Sequence, residues 1–193
     1  MTDIAKIDEA LNTALGKKRY THSVYVAHMA VDMAKVFGVD TNKAYIAGLI
    51  HDCAKAMSYD MMLNTAKKYG YTIDEITLQC SGIMHADIGA LLARYEYGIE
   101  DNEILDAIRY HTVARCGMTK LDKIIYVADM AEPMRDFDGV EILRKLAETD
   151  LDEAYFLALT QSLKFNLDKK NIIHPNTLYA YNEVLINSRE ENK

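Results

Sequence analysis

Apolar residues recur three and four positions apart along almost the whole chain, and alternating β-branched runs are scarce. That spacing predicts an all-α fold. Helices are expected at about 3–15, 21–37, 41–54, 58–69, 73–79, 84–96, 101–111, 119–130, 139–147, 151–168 and 175–188. Only two prolines interrupt 193 residues. Asp40 and Thr41 stand before "NKAYIAGLIHD", Ser58 before "YDMMLNTAKK" and Thr72 before "IDEI", so each marks a helix start. Gly38, Gly70 and Gly98 follow helical stretches, where a left-handed residue commonly ends a helix. Pro133 is expected to stop the helix that carries "IIYVADMAE". No repeat, linker or low-complexity stretch divides the chain, and the tail "SREENK" is expected to fray. One domain over 1–193 follows, with enough apolar residues for a sizeable core.

The formal net charge of −7 disfavours nucleic-acid binding, which needs a basic footprint. It leaves an anionic small molecule open, because basic residues gather locally: Lys17, Lys18, Arg19, Lys55, Arg109, Arg115, Lys120, Lys123 and Arg135. Most such residues on a helical protein are solvated faces. No apolar run reaches the length of about 18 residues that a membrane span needs. The start "MTDIAKIDEALNTAL" is amphipathic and acidic, without a signal-peptide layout. Three cysteines without a C-x-x-C pair argue against a disulfide framework. A reducing, cytoplasmic setting is therefore expected. The thirteen tyrosines and ten methionines read as packing.

The stretch "GLIHDCAKAMS" breaks the apolar pattern. Ala44, Ile46, Ala47, Leu49 and Ile50 lead into it as a buried helix, and then His51 and Asp52 arrive side by side. Other polar groups share this inward phase. In "HSVYVAHMAVDMAKVF", His22 is in phase with Val26, Met29, Met33 and Val36, whereas His28 is in phase with Asp32 and Lys35 and faces water. His85 is in phase with Ile88, Gly89 and Leu92. His111 follows Ile104 and Ile108, and Asp129 sits with Ile125 and Tyr126. One inward histidine is ordinarily a core residue satisfied by a backbone carbonyl. Four histidines and two aspartates on five helices each need a partner, at a burial cost of several kcal/mol without one. Convergence on metal satisfies all six. Neighbours on a helix diverge by about 100°, so His51 and Asp52 would hold different positions, and the two oxygens of Asp52 could bridge two ions. The lack of spaced cysteines argues against a structural zinc site. These donors suit iron, manganese, cobalt or nickel.

The order His22, His51-Asp52, His85, His111, Asp129 resembles the HD-domain metal phosphohydrolases. The blocks "KKRYTHSVYVA", "GLIHDCAK", "MHADIGALLA", "AIRYHTVAR", "KLDKIIYVADMAEPMRDFDGV" and "IIHPNTLYAYN" resemble the YqeK family over roughly residues 15 to 185. That resemblance implies an HD-domain helical bundle, with core ligands within 19–135 and helices over 139–188 packed on it. It implies symmetrical hydrolysis of diadenosine tetraphosphate to two ADP by a hydroxide activated on two metals, usually iron. His22, His51, Asp52 and Asp129 match the core metal ligands. His85 and His111 match the histidines that complete a second position, near substrate, with Asp52 as bridge. Arg19, Lys55, Thr112, Arg115 and Arg135 match nucleotide-phosphate contacts. Two departures stand out. Val113 and Ala114 replace a hydroxyl residue and a glycine of the family's "YHTTGR", and Asp87 replaces a proline after "HA".

Asp52 and Lys55 are thus the candidate catalytic pair, since residues three apart share a helix face. Arg135 follows the Pro133 break, close to Asp129, and guanidinium suits bidentate phosphate contact. Glu132, one turn beyond Asp129, reads equally as a group orienting a ligand or as a cap or surface ion pair. His174 in "HPNT" reads as structural, and Cys53 as a small core residue. The expected partner is a dinucleoside polyphosphate or another nucleotide, with a second copy of the chain as an open choice of assembly. Two alternatives remain at this level. One is an HD-domain phosphohydrolase of a deoxynucleoside triphosphate or nucleoside monophosphate. The other is a non-catalytic nucleotide-binding helical module.

Overall fold

The computed structural model describes residues 4–191. Ten helices account for its regular structure, with no strand among the described residues. They are α1 (Ile4–Phe37), α2 (Thr41–Ile50), α3 (Tyr59–Lys68), α4 (Glu75–Gln79), α5 (Ser81–Tyr95), α6 (Asn102–Tyr110), α7 (Lys120–Ala131), α8 (Val140–Ala147), α9 (Leu151–Asp168) and α10 (Pro175–Glu191). No helix is long and apolar enough to cross a membrane, among the described residues.

Side-chain chemistry sets most boundaries. Asp40 accepts from the backbone N–H groups of Asn42 and Lys43, and Ser58 accepts from that of Met61. Thr119 and Asp122 form a reciprocal capping box at the start of α7. Gly38, Gly70 and Gly98 adopt φ near +65° after helices, as expected. Four expectations change. The helices expected at 3–15 and 21–37 are one span, bent at Gly16 (φ 71°, ψ 157°), so Lys18 and Arg19 lie within a turn of His22. The cap of α4 is Asp74 rather than Thr72, because its carboxylate reaches the N–H groups of Ile76 and Thr77 at 3.0 Å each. Val36 is 57% exposed instead of lying on the buried stripe. The tail is helical through residue 191, where fraying was expected; residues 192–193, like 1–3, lie outside the described part.

α7 is the central element. It packs against α1, α2, α6, α8 and α9, which is why Ile124, Ile125, Tyr126, Val127 and Ala128 are all buried round its circumference. α1 and α2 approach closely because their contact is built of alanine and glycine. A Cβ on Gly48 would fall 2.7 Å from Cα of Ala27, a backbone atom that cannot yield. A smaller apolar cluster of Met62, Ala66, Met84, Ile88 and Leu91 lies between α3 and α5.

Candidate metal centre

Five elements deliver the six inward groups to one place. His22 comes from α1, His85 from α5 and Asp129 from α7. His111 is the C-terminal cap of α6. His51 and Asp52 sit just past the end of α2, not within a helix running to residue 54. There the backbone tightens into i→i+3 hydrogen bonds, from Cys53 N–H to Ile50 O (2.8 Å), Lys55 N–H to Asp52 O (2.9 Å) and Met57 N–H to Ala54 O (3.0 Å). Residues three apart eclipse in such turns. That sets Lys55 beside Asp52, with Nζ 3.7 Å from Oδ1. His28, read as solvent-facing, is exposed.

Three of the histidines are oriented by one device. The Nδ1–H of His51, His85 and His111 donates to the carbonyl three residues back, on Gly48 (2.7 Å), Gly82 (2.8 Å) and Ile108 (2.6 Å). His22 differs: its Nδ1–H donates to Glu132 Oε1 at 3.0 Å. Glu132 is 1% exposed and caps α7, and its Oε2 accepts from the N–H of Met134. The sequence left its role open; the structure makes it the group that orients His22.

Once Nδ1 carries the proton, each Nε2 is a bare lone pair. These lone pairs face one another and the carboxylates. His85 and His111 Nε2 are 3.2 Å apart, and His85 Nε2 is 3.0 Å from Asp52 Oδ1. His22 Nε2 is 3.0 Å from Asp129 Oδ1. His51 Nε2 lies 3.8 Å from both Asp52 Oδ2 and Asp129 Oδ1. His22 Nε2, His51 Nε2 and Asp52 Oδ1 are buried with no hydrogen-bond partner. Acceptors crowded on acceptors repel unless cations lie among them. Separations near 3 Å are what ligands about 2.1 Å from a shared ion adopt. Two sets of three donors have their ligand atoms within 4.8 Å of one another: His22, His51 and Asp129, and His51, Asp52 and His111. Asp52 turns Oδ2 toward His51 and Oδ1 toward His85 and His111, as a bridging carboxylate would.

The electrostatics agree. Burial pushes His51 down to about 4, and does the same to His85, so both are neutral near pH 7, the state in which imidazole can bind a metal. Burial opposes ionisation of Asp52, yet His51, His111, His85 and Lys55 outweigh it and hold the carboxyl well below its usual range. Asp129 is held down likewise by His22, His51 and Arg135. His22 is raised: burial opposes its charge, but the carboxylates of Asp129 and Glu132 outweigh it and favour a positive charge at Nε2, a place that a cation between His22 and Asp129 would fill instead of a proton.

The centre opens on a cleft of about 410 Å³ lined by Lys18, Arg19, His22, Lys55, Met134 and Arg135, among others. Lys55 Nζ is 3.0 Å from His85 Nε2. Arg135 donates Nε–H to the carbonyl of Asp129 at 2.7 Å and also pairs with its carboxylate. Thr112 Oγ1 stands 3.1 Å from His111 Nε2. Sequence reasoning missed Lys18 as a site residue; its signal was the run "KKR" one turn before His22. Arg115 is the expected contact that the fold takes elsewhere. It pairs with Asp106 (3.1 Å) and Asp122 (3.4 Å) and lies over the ring of Tyr110. Asp122 is fully buried and needs that cation. His174 faces Asp74 at 3.4 Å, away from the cleft lining. Cys53 is buried with Sγ toward the carbonyl of Gly89.

Both family departures have a local account. Ala114 is buried at φ +59°, a conformation in which glycine is unstrained and alanine is not. Asp87 accepts from Tyr71 Oη at 2.7 Å and faces Arg109 at 3.5 Å. Neither residue lines the metal cleft.

Comparison with known proteins is specific. The HD domain family matches residues 19–134. The symmetrical bis(5'-nucleosyl)-tetraphosphatase of Bacillus subtilis is 42% identical over 87% of this chain and 90% of its own. That of Halalkalibacterium halodurans is 39% identical over 91% and 93%. A crystal structure from Clostridium acetobutylicum, described as an HD superfamily hydrolase involved in NAD metabolism, superposes with a TM-score of 0.93 at 40% identity, covering 97% of this chain and 99% of that one.

Proposed function

This chain belongs to the HD-domain family, among its YqeK-type symmetrical bis(5'-nucleosyl)-tetraphosphatases, and on that premise we propose that it cleaves diadenosine tetraphosphate into two ADP with two metal ions held in this centre. The observation that carries the metal part is the crowding of unprotonated Nε2 atoms against carboxylate oxygens, three of those atoms buried without a partner. His22, His51 and Asp129 would hold one ion, and His85, His111 and Asp52 the other, with Asp52 shared. Iron is the metal the family resemblance implies, and manganese, cobalt and nickel suit the same donors. When bound, such ions supply a nucleophilic water at neutral pH and stabilise charge on phosphoryl oxygens.

The chain's own residues do the rest. Lys18, Arg19, Lys55 and Arg135 set four cations around a cleft whose carboxylates are Asp52, Asp129 and Glu132, although the protein carries a net charge of −7. A tetraphosphate is thereby drawn to the centre and held in register, which lowers the entropy cost of reaction. Lys55 and Arg135 stand nearest the ligands and would contact the phosphates flanking the scissile bond. Thr112 offers a hydroxyl beside His111. Three free thiols suit a reducing, cytoplasmic setting.

The test pairs two measurements on one sample: metal content by elemental analysis, and products from diadenosine tetraphosphate. About two metals per chain with ADP as the sole nucleotide product is expected. Asp52→Ala should remove both metal and turnover. ATP plus AMP as products would contradict symmetrical cleavage. No metal after chelator-free purification, even with added iron or manganese, would overturn the metal assignment.

A further inference from the structure

A second chamber of about 420 Å³ shares His111, Asp129 and Arg135 with the metal centre. Its other walls differ in kind. Met130 from α7, Phe137 from the loop after α7 and Phe165 from α9 make it largely apolar, with Gln161 from α9 beside them. The metal cleft, by contrast, is walled by Lys18, Arg19 and Lys55. Asp129 and Arg135 line both, so one continuous site has an anionic-ligand end and an apolar end. That division matches a nucleotide, whose phosphates are charged and whose base is flat and aromatic. The volume is that of a small-molecule site.

Two features give the apolar end a definite occupant. Phe165 is 57% exposed on the rim, an uncovered aromatic face of the kind on which bases stack. Gln161 shares the wall with the hydroxyls of Thr112, Tyr126 and Ser162 but is its one carboxamide, and its Oε1 is buried without a hydrogen-bond partner. Its nitrogen lies against Gly139, where a Cβ would fall 2.8 Å from Nε2. The glycine thus leaves room for the carboxamide. The terminal torsion of glutamine is soft, so the amide can turn to present its acceptor and donor together. That pair complements an amino-bearing purine edge, as glutamine does when it reads adenine.

We propose that this chamber is the base subsite: it takes a purine carrying an exocyclic amine, with Gln161 accepting from that amine and Phe165 covering the ring, while Arg135 marks where base end meets phosphate end. The assignment rests on the nucleotide reading above and adds to it where, and by which residues, the base is read.

The test is equilibrium binding to manganese-loaded protein, by calorimetry, with three probes. ADP carries the amine, purine riboside 5'-diphosphate lacks it, and pyrophosphate lacks the nucleoside. The native protein should bind ADP at least tenfold tighter than purine riboside diphosphate. Gln161→Leu should abolish that preference and leave pyrophosphate unchanged. Phe165→Ala, on the surface and not needed for folding, should weaken both nucleosides about tenfold and spare pyrophosphate. Turnover of diadenosine tetraphosphate by the native protein separates the two readings. Turnover with ADP affinity unaltered in both variants overturns the subsite alone. Absent turnover, with ADP binding that depends on Gln161 and Phe165, overturns the activity and supports the subsite. Equal affinity of the native protein for ADP and pyrophosphate overturns the subsite outright.

Discussion

At the scale of single residues, the centre depends on which nitrogen of each histidine carries a proton. Glu132 decides that for His22 through the 3.0 Å bond to Nδ1. Glu132→Gln keeps the shape and removes the charge. It should weaken metal binding about tenfold, in the range typical of groups behind a ligand, and leave the fold intact; a chelator competition titration and a far-UV spectrum measure the two. An unchanged metal affinity would show that the carboxylate merely caps α7. Helical phase was enough to place His22, His51, His85, His111 and Asp129 inward. It named Glu132 but could not choose between orienting a ligand and capping or pairing at the surface, because the partner is 110 positions away in sequence. Nor could it exclude Arg115, whose guanidinium is drawn to the buried Asp122 by a burial that only the folded chain creates.

At the scale of elements, the α1–α2 contact and the metal centre meet at Gly48. Its missing Cβ lets the helices touch, and its carbonyl fixes the tautomer of His51. Gly48→Ala must push the helices apart. The expected cost is about 1–3 kcal/mol, as for other overpacked sites, and it outweighs the gain of about 1 kcal/mol in helix propensity. Urea denaturation of the metal-free protein reads that loss. A Gly48→Ala protein as stable as the native one would mean that the contact is looser than the 2.7 Å approach implies. The end of α2 carries a second lesson. Apolar periodicity ran through residue 54 and predicted a continuous helix. The turns at 51–57 tighten instead, which brings Lys55 over Asp52.

At the scale of the whole molecule, the buried histidines couple folding to pH. His51 and His85 titrate near 4 when folded and near their ordinary 6.5 when unfolded. Between those values the unfolded chain binds more protons, so stability is complete above about 6.5 and is lost as the pH falls toward 4. The raised His22 shifts the other way and offsets part of this. Melting curves of chelator-treated protein from pH 7.5 to 4 should show the loss, on the order of a few kcal/mol in all. Saturating metal should raise the melting temperature near neutral pH and steepen its fall on acidification, because ions bind only the deprotonated, folded site; a melting temperature independent of pH in the metal-free protein would contradict the burial of these rings. The sequence by itself determined the helical class, the positions of most helices and the six inward donors, because these follow from local periodicity and from the cost of burying polar groups. Only the tertiary structure decided which donors face which, that Glu132 stands behind His22, that Arg115 serves Asp122, and that an apolar chamber adjoins the histidine–aspartate cluster. Those facts depend on distances between residues far apart in the chain, and such distances are set by how whole helices pack.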